Sequence, residues 1–137
     1  MESILKCGKV AFAMFLGVLG WLLGGFNSLI YALIAFVILD YLTGVLLAFH
    51  NKKLSSEIGF KGICKKFLIF ILISIGNIVD RYILGSGNAL KTLLIMFYLS
   101  NEGISIIENV GQMGLPIPQK LKDAIVQLNR NNNNKED

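Results

Sequence analysis

Proline is nearly absent: of 137 residues only Pro116 and Pro118 are proline, so nothing before them forces a break in a helix. Histidine is scarcer still, with His50 alone, and the cysteines are two, Cys7 and Cys64, far apart and without neighbouring ligand types. These shortages argue against a zinc site, a disulfide framework and a Ser-His-Asp or Cys-His catalytic set. Two reduced, non-catalytic thiols are expected. A phosphate-cradling glycine loop is missing as well, because the glycines lie within apolar stretches or turns. Charge is also sparse, at 16% of residues, against 54% hydrophobic residues and a mean hydropathy of +0.63. That balance is too apolar for a soluble domain of this size and leaves no room for a separate catalytic one. No enzyme, cofactor or metal is expected.

The apolar residues come in long runs. Leu29 to Phe49 is uninterrupted but for Asp40 near its centre, and it is long enough to cross the hydrocarbon core of a bilayer. An aspartate there opposes insertion by about 2.5 to 3.5 kcal/mol, whereas each of the many Leu, Ile, Val and Phe residues favours it by about 0.3 to 0.6 kcal/mol. The helix inserts, and Asp40 has to avoid lipid. Two placements satisfy that: a hydrogen-bonded structural carboxyl inside a helix bundle, or a water-facing one in a pore.

Three more segments resemble the first. Val10 to Phe26 is apolar on every side and just long enough to span, and Gly24, Gly25, Asn27 and Ser28 then suggest a tight hairpin into the Asp40 segment. A basic head followed by an apolar run can mimic a signal peptide, but with a second span directly after it the N-terminus is expected to be retained. Phe67 to Leu84 is apolar up to Val79. Ser74, Asn77 and Arg81 then share a face beside Asp80, so the helix needs a polar neighbour, or else Asp80 and Arg81 mark its interfacial end. Leu90 to Val110 begins apolar and ends amphipathic, with Glu102, Ser105 and Asn109 on one face; this end either lines water in an assembly or emerges from the membrane. The fold class that follows is all-α: an integral membrane protein of four helices, or of three with the N-terminus outside if the marginal first segment lies in the interface.

Small residues mark the faces along which these helices approach others. Ala13, Gly17, Gly20 and Gly24 form a stripe on the first segment, and Ala32, Ala35, Gly44 and Ala48 are the counterparts on the second. Packing between chains and packing within the hairpin both use such stripes. The intramolecular use is expected first.

Lys52, Lys53, Lys61, Lys65 and Lys66 face only Glu57 in the stretch between the second and third segments. No aromatic or folded recognition element accompanies them, so nucleic acid is not the expected partner. A cytoplasmic loop obeying the positive-inside rule accounts for them, and it puts both termini in the cytoplasm if there are four spans. Residues 1–110 then form the membrane domain and 111–137 a cytoplasmic tail: a break at Pro116 and Pro118, a short amphipathic helix carrying Leu121, Ile125 and Leu128, and a disordered end from Asn131.

Several of these residues recur together elsewhere. Asp40 with Gly44-Val45 and Ala48, then Ser55, Gly59, Gly62 and Lys65-Lys66, then Asn101-Glu102, Ser105-Ile106 and Asn109, then Gly114-Leu115-Pro116-Ile117-Pro118 and Leu121 resemble the phage lysis and toxin-secretion holins. The resemblance covers Leu29 to Leu128. It implies a multi-pass protein of the bacterial inner membrane that forms homo-oligomeric lesions, through which an endolysin or a large toxin passes without a required direct contact. In that setting Asp40, Asn77, Asp80, Glu102, Ser105 and Asn109 are the candidates for an interior or pore-facing surface, with membrane lipid and other copies of the chain as partners. A small proton-coupled transporter and a holin antagonist are the rival readings.

Overall fold

The computed structural model describes residues 1–85 and 87–133, and among these every regular element is helical. In chain order they are α1 (Glu2–Leu23), α2 (Ser28–His50), α3 (Ser56–Ile78), a π-helical turn (Val79–Leu84), α4 (Ala89–Gln112) and α5 (Gln119–Asn133). α1, α2, α3 with its π turn, and α4 are each long and apolar enough to cross a membrane. The helix boundaries follow local chemistry. Gly24 takes a left-handed conformation (φ 75°) and ends α1, with the Gly25 N–H returning 2.6 Å to the Gly20 carbonyl. Asn27 and Ser55 then cap α2 and α3 by accepting from the amides of Ile30 and Ile58 at 3.0 and 3.2 Å.

The core lies between α2, α3 and α4. Ile30, Leu33 and Val37 of α2 meet Ile69 and Ile73 of α3 and Ile95 and Leu99 of α4, each set repeating at helical spacing. Away from this seam the surface remains apolar: Leu42, Leu46, Phe49, Phe67, Ile71 and Ile75 are all exposed. A contiguous apolar exterior around a partly polar interior is stable only in lipid.

Four expectations change. α1 starts at Glu2 rather than Val10, so its length is no longer marginal, and it stops at Leu23. It forms no hairpin with α2: among the described residues α1 packs against α3, whose Asn77 holds the Leu22 carbonyl, and only Leu23 of α1 joins the buried core cluster. The basic loop shrinks to residues 51–55, since the Ser55 cap starts α3 early and puts Lys61, Lys65 and Lys66 on a helix. The tail's expected disordered end is also changed. α5 folds back onto α4, and it continues through Asn131 to Asn133, where disorder was expected; residues 134–137 lie outside the described residues.

Candidate functional site

On each core helix the apolar stripe ends in a polar residue, and these residues meet in two layers. The first layer joins α2, α3 and α4. Lys66 of α3 donates to the Asp40 carboxylate of α2 and, at 2.5 Å, to Glu102 of α4. Asn109, two turns beyond Glu102, donates its amide 3.2 Å to the other Asp40 oxygen and 3.0 Å to the Thr43 hydroxyl. Asp40 and Glu102 are buried, at 8% and 7% exposure. Two carboxylates therefore share one ammonium, a pairing that makes their burial tolerable and leaves the cluster one negative charge in excess if all three are ionised.

The layer lies deep in the bundle. Asp40 is twelve residues from Ser28, Glu102 thirteen from Ala89 and Lys66 ten from Ser56, so at ~1.5 Å per residue it is about 15 to 20 Å from each of those helix starts. A cleft of about 260 Å³ runs down to it between α2 and α3. Small residues keep it open: Gly44 and Ala48 on one wall, Gly59 and Gly62 on the other, with Ser105 and Asn109 beside the charges. Water entering there would meet the ion cluster.

The second layer lies at the ends of α1 and α3 and the start of α4. Asp80, 1% exposed, accepts from the backbone amides of Leu90 and Lys91 at 3.1 and 2.8 Å. It thus caps the start of α4, which explains a buried carboxylate beside the exposed Arg81. Asn77, 3% exposed, donates 3.0 Å to the Leu22 carbonyl and so holds the C-terminal end of α1. The buried Lys91 ammonium lies beside Gly24 at that same end, where a cation complements the carbonyls of the last helical turn.

The expected residues thus divide. Asp40, Glu102 and Asn109 come together with Ser105 at their edge, while Asn77 and Asp80 form the separate layer. Among the small residues, Gly24 abuts Asn77 and Lys91, Gly20 faces the Phe26 ring, Ala32 packs on the core, and Gly44 and Ala48 wall the cleft. Ala13, Gly17 and Ala35 are exposed, and a Cβ on Gly17 would meet nothing within 4 Å. The intramolecular role expected for the stripe on α1 is therefore confined to its last turn. Lys52, Lys53, Lys61 and Lys65 are exposed.

Lys66 is the residue that sequence reasoning misplaced, and its signal was periodicity: Lys66, Ile69, Ile73, Asn77 and Asp80 recur at helical spacing on one face. Lys91 was missed too, although it precedes Ile95, Leu99 and Glu102 at the same kind of spacing. Among the described residues no group of three His, Cys, Asp or Glu side chains is placed to hold a metal ion.

Residues 17–130 match the profile of the bacteriophage holin family. The chain belongs to that family. A probable holin of Bacillus phage phi105 is 34% identical to this holin, over 72% of each chain. An uncharacterized Clostridium perfringens protein is 43% identical over 97% of this chain and 98% of its own length, and an uncharacterized Listeria innocua protein is 43% identical over 92% and 87%. No solved structure matches. Family membership and four spanning-length helices together make this holin a multi-pass membrane protein.

Proposed function

We propose that this holin accumulates in the bacterial cytoplasmic membrane, with both termini in the cytoplasm, and assembles with copies of itself into lesions that pass an endolysin or a large toxin. One observation carries the reading. In a single chain the membrane-embedded charges close on one another, Asp40 and Glu102 on Lys66, behind an exterior that is apolar over α1, α2 and α3. One copy therefore offers no aqueous path wide enough for a protein, whereas copies that rearrange can turn the cleft and the polar end of α4 toward water. The unpartnered face of α1 around Ala13 and Gly17 supports contact between copies.

The test is induced expression in a bacterial host together with a cytoplasmic enzyme as reporter. Enzyme release, or lysis that requires a co-expressed endolysin, is the expected result. A second reading rests on the same cluster, since membrane carboxylates paired with a lysine also suit proton-coupled carriers. Substrate flux driven by a gradient through intact membranes, without enzyme release, would favour the carrier. Suppression of another holin's lysis would mark an antagonist.

A further inference from the structure

α5 lies at a depth that its composition does not suit. A Cβ on Gly103 of α4 would meet Ile125 of α5 at 3.0 Å and Phe36 of α2 at 3.1 Å, so Ile125 stands level with Phe36. Phe36 is eight residues from the start of α2 and fourteen from its end, or about 12 and 21 Å at helical rise. From that level to the end of α2 the outer surface belongs in lipid: Leu39, Leu42, Leu46 and Phe49 are 47% to 71% exposed, and Phe67 and Ile71 of α3 fall in the same range.

The face of α5 opposite Ile125 is polar along its length. Lys120, Asp123, Gln127 and Arg130 recur at i, i+3, i+7 and i+10, half a helical turn away from Ile125, and all four are exposed. Asp123 and Gln127 lie two residues to either side of Ile125, about 3 Å along the axis, and so share the depth of Phe36. Their short side chains cannot snorkel to a headgroup as lysine and arginine do. Among the described residues Asp123 is held by the exposed Gln119 amide, at 2.9 Å, and no ion pair neutralises it. Lipid is therefore an unsuitable neighbour on this side of the bundle. A second copy offers no better cover, since the exposed sides of α1, α2 and α3 within their spans are apolar.

We infer that this face of α5 lines water in the assembled lesion. α5 stays packed on α4 through Ile125, Lys120, Asp123, Gln127 and Arg130 form part of the aqueous wall, and α2 and α3 keep their apolar sides toward lipid. The whole bundle is then amphipathic, with two cations and one carboxylate on its wet side. The inference rests on the lesion reading above and names the wall which that reading leaves open.

The test uses full-length protein with Cys7→Ser and Cys64→Ser, reconstituted in phospholipid vesicles loaded with a fluorescent dextran. In one arm Ile107→Cys and Val126→Cys, which line the groove between α4 and α5, are joined within a chain by a short bismaleimide in dilute micelles before reconstitution. Dextran release by the linked protein is expected to stay within twofold of the same variant unlinked. In the other arm Asp123→Leu with Gln127→Leu should cut release at least tenfold and leave the yield of lysine-cross-linked oligomer unchanged, whereas Asp123→Asn alone should keep release. If linking abolishes release while oligomers persist, α5 leaves α4 when lesions open; the inference is then wrong and assembly stands. Release by the leucine pair at the parent's level also overturns it. Loss of oligomer together with release would assign the face to contact between copies instead of water. A parent that releases no dextran removes the lesion reading and this inference together.

Discussion

Lys66 carries the balance of the buried cluster, since it is the cation in contact with both Asp40 and Glu102. Replacing it by methionine keeps most of the side-chain volume and leaves two carboxylates facing each other without a counter-charge. Breaking a buried pair in this way costs about 3 to 5 kcal/mol. Lys66→Met is therefore expected to lower the thermal midpoint in detergent micelles at neutral pH, and adding Asp40→Asn and Glu102→Gln should restore much of the loss. Equal melting of the single variant and the parent would show that the pairing contributes nothing. Gly24 poses a different constraint. Its φ of 75° disfavours any side chain, and a Cβ there would run into Asn77 and Lys91. Gly24→Ala should destabilise by about 1 to 3 kcal/mol, read by denaturant unfolding in the same micelles.

At the scale of helices, α1 behaves unlike its neighbours. It is bound at its last turn, by Asn77 on the Leu22 carbonyl, and none of its most apolar window is buried. Gly17→Leu therefore adds a side chain where the chain itself offers no contact, and it should leave the unfolding midpoint of the monomer within about 0.5 kcal/mol of the parent. The same change should reduce chemically cross-linked oligomer in membranes if α1 packs between copies, and an unaltered oligomer yield would remove α1 from the interface. The existence of these helices was legible from the apolar runs and their turns. Their starts were less so, because Glu2, Lys6 and Lys9, and likewise Glu57 and Lys61, look like loop residues until a cap or a turn carries the helix through them.

The whole molecule places its two thiols where they report topology. Cys7 on α1 and Cys64 on α3 are both exposed, so a failure to label intact cells reflects the side of the membrane or lipid cover rather than burial in the protein. With four spans and an inside N-terminus, an impermeant maleimide should label neither in intact cells and should label Cys7 after permeabilisation. Labelling of Cys7 in intact cells would reverse the proposed orientation of α1. The sequence alone determined the class of the protein, an apolar chain of spanning helices, because length, hydropathy and capping residues act within a few positions of one another. It also showed that Asp40 and Glu102 must avoid lipid. Only the tertiary structure decided what they meet there. Lys66 lies 26 residues from Asp40 and 36 from Glu102, and no local periodicity carries a pairing across separate helices. The partner is set by how far α3 extends below its apolar run, and that is settled by packing against α2 and α4.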